Sequence, residues 1–334
     1  MSVYAGYIPI VQSRFMAEGY FSNAKMAQLM SSGLFDVATL ESVISAGGDF
    51  ANVPLKVQAD DFSHVVLTTD DTQPNTTPTR ITTSTSKYPV TWDASQKGLT
   101  EIDRIRTNDE WIAELSRSAG NKAAKRTIKQ LDRVLKATLT AQATHIKDIT
   151  AASTKTVNIG ALQDCKTLLG DQSADLSIML IHSKAVNNLY KELSGSASSG
   201  YAANAIVAGD MIRNGALNSI LGVGTIIVSD DLTKEYGTGS STGSDEYWTY
   251  LFRPGAVYHA YQEAPIFHEF VDSRVPSTLI TLTWRMGYVI GPHGFNYGGA
   301  ANPTDAVLGT SGNWSFVSED HRNFGVVALV SQAT

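Results

Sequence analysis

The sequence predicts an α+β fold, and three observations carry the prediction. One stretch keeps helical periodicity for far longer than a compact domain needs. A second stretch is rich in Thr and Ser and suits extended pairing. Short apolar strands, some of them next to helices, are spread through the remainder of the chain.

The helical stretch runs from Thr107 to about Ile146. It opens on Thr107-Asn108-Asp109-Glu110, a capping box in which the Thr107 hydroxyl takes an orphan amide and Glu110 reaches back to the amide of the cap. From Ala124 onward Ile128, Leu131, Leu135, Thr138 and Leu139 recur at spacings of three and four, which paints one side of the helix apolar. Lys122, Lys125, Arg126, Lys129, Arg133 and Lys136 fall within an arc of about 100° on the other side. A solvated face and a contact with acidic groups or nucleic acid both fit that stripe. Unbroken, such a helix is a rod of about 60 Å, roughly twice the span of a small domain. Gly120-Asn121 is its weak point, because an interior glycine costs about 1 kcal/mol against alanine, so a bend or break is expected there.

The preceding residues hold the first elements. Phe15, Met16, Phe21, Met26, Leu29 and Met30 give a loosely helical pattern over Ser13 to Ser31, and a short second helix is expected from Ala38 to Ala46, stopped by Gly47-Gly48. Phe50, Val53, Leu55 and Val57 alternate around Pro54, as in a strand entered at an edge. Val65 to Val90 is dominated by Thr and Ser and punctuated by Pro74, Pro78 and Pro89. It predicts a long hairpin with little to bury, one that lies on another molecule, since an isolated hairpin is marginal in water.

Beyond the long helix, a helix Gly160 to Leu169, an apolar strand Asp175 to Ile181 and a helix Ser183 to Leu193 form an α/β block with a buried strand. Strands at Gly224 to Ser229 and Tyr247 to Arg253 follow, separated by the Gly/Ser run 237 to 244, an exposed loop tip. Strands at Ala256 to Gln262, Ile266 to Val271 and Leu279 to Val289 lead back to the core, and Trp314 to Val317 with Val326 to Val330 close the chain.

Composition bounds the function. The chain has 334 residues, 43% hydrophobic and 17% charged, with a formal charge of -6, so it is globular and any nucleic-acid contact is local. No run of 18 apolar residues and no leader pattern is present, from which residence in the cytosol and no membrane contact are expected. Cys165 is the single cysteine, which excludes an internal disulfide and a thiolate zinc cluster. The seven histidines include no pair at helical metal spacing, so neither a metal nor a cofactor is expected. His182 sits where a strand gives way to a helix, a place favoured by catalytic groups, yet no nucleophile elbow or phosphate loop accompanies it.

The order of these elements resembles the major capsid proteins of tailed bacteriophages, which share the Hong Kong 97 fold. Gly47-Gly48-Asp49-Phe50-Ala51-Asn52-Val53-Pro54-Leu55 looks like the entry to that family's extended loop, and Thr107 to Ile146 looks like its spine helix. Leu180-Ile181-His182-Ser183 resembles the strand-to-helix step of the peripheral domain. Trp284-Arg285-Met286-Gly287-Tyr288, Pro292-His293-Gly294-Phe295 and Asn313-Trp314 resemble the return strand, its glycine turn and the closing segment.

The resemblance implies an N-terminal arm over 1–52 and an extended loop over 53–98. It implies a peripheral domain with the spine helix over 99–193, an axial domain over 194–275, and return strands over 276–334. It further implies pentamers and hexamers in an icosahedral shell, with a separate scaffold protein, a portal protein and packaged double-stranded DNA as partners. The shell is assembled in the host cytoplasm and resides in the virion. Arg80, Thr82 and Lys87 of the extended loop are the expected contacts between subunits, and the basic stripe is expected on the inner face. The N-terminus is expected to stay near Met1. An encapsulin-like compartment shell and a hydrolase using His182 are the alternatives.

Overall fold

The computed structural model describes residues 15–36, 48–55, 84–100, 110–195, 222–232, 235–236, 245–272, 279–317 and 324–332. The N-terminal helical pattern is two pieces. A π-helical turn, Phe15–Tyr20, precedes helix α1, Ala24–Ser31, which the Asn23 side chain caps by accepting from the Lys25 and Met26 amides. Strand β1, Phe35–Asp36, follows, and the helix expected over 38–46 lies outside the described residues.

Strands β2, Phe50–Leu55, and β3, Ser84–Pro89, pair antiparallel with Leu55 opposite Ser84. They form the base of the expected hairpin, whose residues 56–83 lie outside the described set. The base departs from the sequence expectation. Ala51, Val53, Ser86, Tyr88 and Val90 are buried, so residues up to Val90 belong to the core of their own subunit. Two observations explain this: alternate residues of the pair face inward, and Tyr88 brings a large ring that donates its hydroxyl proton to the Pro292 carbonyl at 2.8 Å.

Strand β4, Thr91–Thr100, leads toward helix α2, Glu110–Ala141, a single helix of 32 residues. It passes through Gly120-Asn121 without a break and ends before Ile146, where a 3₁₀ turn, Ala143–His145, delivers strand β5, Ile146–Asp148. The glycine serves packing, not termination. A Cβ on Gly120 would lie 2.4 Å from the Phe15 carbonyl oxygen and 2.8 Å from the Tyr20 amide nitrogen, so only glycine admits the π-helical turn this closely. Thr107 and its cap lie outside the described residues.

The next block holds helix α3, Ile159–Thr167, strand β6, Ile178–Ile181, helix α4, Ser183–Gly195, and strands β7, Thr225–Val228, β8, Glu235–Tyr236, and β9, Asp245–Phe252. Two long strands follow, β10, Val257–Asp272, and β11, Leu279–Pro292. The two strands expected around Pro265 are therefore one. Its register shifts between Tyr261 and Ile266, and such irregularity accommodates a proline that cannot donate to a ladder. Strand β12, Phe295–Tyr297, helix α5, Asp305–Leu308, and strands β13, Trp314–Phe316, and β14, Val326–Gln332, complete the described chain.

Two sheets flank α2. One has the order β1-β10-β11-β4, and the other β5-β14-β9-β6-β7 with β8 also paired to β9. The second sheet joins strands from segments 99–193, 194–275 and 276–334, so pairing crosses those sequence boundaries. Its strands read as nearly continuous apolar runs because both faces are covered. Ile178, Leu180, Tyr250, Phe252, Val326 and Ala328 enter the core shared with α2, whereas Met179, Ile181, Leu251, Val327 and Leu329 enter a second core with α3 and α4. Cys165 is buried in that second core, where burial pushes its thiol up to about 12. No helix among the described residues is long and apolar enough to cross a membrane.

Candidate functional site

The basic stripe of α2 is divided by its surroundings. Arg126 and Arg133 turn onto helix α5, where both meet the Asp305 carboxylate, Arg126 at 3.1 Å. Arg126 also approaches Asp93 of β4 at 2.8 Å, and the Gln130 amide donates to Asp305 at 3.2 Å. Burial alone would raise the Asp305 carboxyl, but Gln130 and the two guanidiniums outweigh it and hold the group below the usual carboxylate range. Asp93 is more deeply buried, and burial pushes its carboxyl up against the pull of Arg126.

Lys136, unlike the half-exposed Arg126 and Arg133, is buried. Its ammonium lies 3.1 Å from the Asp132 carboxylate, one turn earlier, and Asp132 accepts the Tyr250 hydroxyl at 2.7 Å. This buried charge pair links α2 to the second sheet, with the hydrogen bond satisfying a lone pair that burial would otherwise leave costly. Lys122, Lys125 and Lys129 remain exposed. Thus three of the six stripe residues pair with acids of their own subunit, and three are exposed.

Sequence reading missed the acids that make this division. Asp132 was legible as an i, i+4 partner of Lys136. Asp305 follows Thr304, an ordinary helix-start pairing, but nothing local tells that its carboxylate reaches a helix more than 170 residues away in sequence.

Of the expected loop contacts, Arg80 and Thr82 lie outside the described residues. Lys87 is engaged within the hairpin base: its ammonium sits 3.6 Å above the Phe50 ring, and its amide donates to the Asn296 side chain at 3.1 Å. His182 takes a capping role at the start of α4. Its Nδ1 accepts the Lys184 amide at 3.1 Å, and its ring packs against Tyr247. Burial lowers its pKa, and Asp230 stands 3.9 Å from Nε2 on an exposed loop. Among the described residues no group of three or more His, Cys, Asp or Glu side chains could hold a metal ion.

The fold has solved counterparts. The capsid of Ralstonia phage GP4 superposes with a TM-score of 0.57 at 12% identity, over 86% of this chain and 84% of that one. The cyanophage Pam1 capsid gives 0.54 at 14% identity over 96% and 92%, and a structure from Mycobacterium phage Adephagia gives 0.52 at 12% over 90% and 92%. No curated protein matches in sequence. At these identities the likeness establishes the fold, which is of the Hong Kong 97 capsid type. The family is established separately, and it sets aside the compartment-shell and hydrolase readings. Residues 49–327 match the model of the Gp13-like family, described as major capsid protein 13-like, and the chain belongs to that family as a structural subunit of a tailed-phage head, not an enzyme.

Proposed function

We propose that the subunit closes into rings of five and six, pentamers and hexamers, that tile an icosahedral head around double-stranded DNA. The observation that carries this reading is the division of labour on α2. Arg126 and Arg133 tie the helix to β4 and α5, and Lys136 pairs with Asp132, which accepts from Tyr250 of the second sheet, while Lys125 and Lys129, with Lys122 at the end of the row, stay exposed for a partner. Such a row suits the phosphates of packaged DNA or the acidic groups of a separate scaffold, contacts that weaken with salt.

In this reading residues 99–193, with α2, α3 and α4, belong to the peripheral domain, residues 194–275 form the axial domain, and the return strands over 276–334 complete the peripheral domain. The hairpin continuing from β2 and β3 overlaps a neighbour, with Arg80 and Thr82 as its contacts and Lys87 stiffening its base. A portal protein occupies one vertex, and assembly takes place in the host cytoplasm.

The test is co-expression with the scaffold, followed by light scattering and negative-stain microscopy. Closed particles with five- and six-fold rings are expected. A strictly monomeric protein at high concentration with scaffold present would overturn the reading. Reversing Lys125 and Lys129 to Glu is expected to reduce scaffold-directed assembly or DNA filling with no change in subunit unfolding. Normal particle yield and genome content would reduce the row to a solvated face.

A further inference from the structure

The start of helix α4 is held by an imidazole. His182 immediately precedes the helix: its carbonyl accepts the Val186 amide at 3.1 Å, the first bond of the helical ladder, and its Nδ1 accepts the Lys184 amide at 3.1 Å. Asn, Asp, Ser and Thr ordinarily supply such a cap, through an oxygen that stays an acceptor around neutral pH. An imidazole nitrogen accepts only while it carries no proton. The bond therefore places the ring proton of the neutral form on Nε2, which faces the Asp230 carboxylate at 3.9 Å.

Charged groups reach the ring from several elements. Asp230 follows β7, whose end runs beside the start of α4, with the Ser229 amide bonded to the Ile181 carbonyl at 3.0 Å. The His182 side chain is 13% exposed and that of Asp230 76%, so the carboxylate is the one with room to move. From β9 the Tyr247 ring packs on the imidazole at 4.7 Å between centroids, and Asp245 accepts the Tyr247 hydroxyl at 3.3 Å. From α4 itself the Lys184 ammonium lies 6.0 Å from the Tyr247 ring, and from α2 the Asp132 charge is felt. Burial and Lys184 together outweigh the two carboxylates and hold the imidazole below its ordinary value near 6.5. The positive end of α4 disfavours a cation there as well.

We propose that His182 is a proton-operated switch between two arrangements of the α4 start. In the neutral form Nδ1 caps the helix. A proton taken from solvent makes both ring nitrogens donors, so that Nδ1–H opposes the Lys184 N–H; the ring then leaves the cap and pairs its charge with Asp230. The first turn of α4 loosens while its start is clasped to the end of β7. Ala185, Val186 and Leu189 carry the effect into the second core, where they are buried. Because the folded value is depressed, the cap is fully held above about 6.5 and is lost as pH falls through the folded value. The switch belongs to the single subunit and does not depend on the shell reading.

Hydrogen exchange with mass spectrometry on the full-length subunit tests it, between about pH 7.5 and about pH 5, the span over which an imidazole titrates. Each rate is divided by the intrinsic rate at the same pH. Peptides over 183–189 are expected to lose about fivefold in protection in one titration step, the population equivalent of a lost cap, while α3 keeps its own. His182→Asn retains a side-chain acceptor that does not titrate, and it is expected to hold full protection across the range. Asp230→Asn removes the partner of the charged ring and is expected to move the midpoint to lower pH. The proposal is overturned if the wild-type subunit shows no step, if His182→Asn retains the step, or if Asp230→Asn leaves the midpoint in place.

Discussion

Gly19 and Gly120 cross with their backbones in direct contact: a Cβ on Gly120 would lie 2.7 Å from the Gly19 Cα. Replacing an interior helix glycine with alanine ordinarily gains about 1 kcal/mol. Here the added methyl would push the π-helical turn off α2, loosening Phe15 and Tyr20 from the core. Gly120→Ala is therefore expected to destabilise the subunit by about 1–3 kcal/mol, the cost of overpacking, and to lower its unfolding temperature by several degrees. A variant that melts at or above the wild-type temperature would show that the crossing is not tightly packed.

Asp305 is the counter-ion that two arginines of α2 share, and its removal leaves both guanidiniums with less to meet. Asp305→Asn is expected to cost about 1–2 kcal/mol near neutral pH, a discounted figure because the carboxylate is partly exposed. The sign of its pH dependence follows from the depressed carboxyl. Its contribution is full above the unfolded value of about 4 and is lost as pH falls through the lower folded value. Denaturant titrations should thus show the variant and the wild type converging in acid. A constant gap at all pH values would mean that the effect is one of shape, not charge.

The contrast between these two sites marks how far the sequence could be read. Local patterns were sufficient for the spine helix, the α3-β6-α4 block and the closing strands, because periodicity and apolar runs are properties of adjacent residues. They misled at Gly120, where helix propensity argued for a break and a tertiary contact with Gly19 decided otherwise. They misled again at Ser84 to Val90, whose Thr- and Ser-rich surroundings hid a buried Tyr88 paired to the distant Pro292. The basic stripe was legible as a stripe. Its division into bracing and exposed residues was legible only at Lys136, through Asp132 one turn earlier, since Asp93 and Asp305 arrive from two other elements.

His259 of β10, opposite Ile290, and His293, just past the end of β11, should each make stability fall in mild acid. His259 is caged by Phe35, Tyr261 and Tyr288, and burial lowers it to about 4. His293 stacks on Tyr258 and is also lowered to about 4; burial and nearby Arg253 outweigh the pull of Asp36, 3.8 Å away. Unfolded imidazoles titrate near 6.5, so the unfolded chain binds more protons between about 6.5 and 4. The stability of the neutral rings is full above that window and lost as pH falls through it, on the order of 3 kcal/mol for each ring. Replacing His259 with Phe is expected to reduce the slope of unfolding free energy against pH by up to about 1.4 kcal/mol per unit. An unchanged profile would show that His259 does not titrate in this range.

The described base of the hairpin serves the fold, and on the proposed shell reading residues 56–83 serve assembly, with the boundary at Leu55 and Ser84. These two residues are ladder partners, so a two-residue turn can close β2 onto β3 with the intervening chain removed. The shortened subunit keeps Ala51, Val53, Tyr88 and Val90 in the core and is expected to stay soluble with near-normal unfolding, while no longer forming closed shells. A replacement extended to Lys87 would instead strip the ladder from Ser84 to Lys87. Tyr88→Ala should be worse still: it empties a buried ring site against Gly291, removes the hydrogen bond to Pro292 and costs about 3–5 kcal/mol. Thermal unfolding and particle counts on the two variants separate the roles. Wild-type shells from the shortened chain would take residues 56–83 out of the assembly mechanism, and failure of that chain to fold would move them into the core.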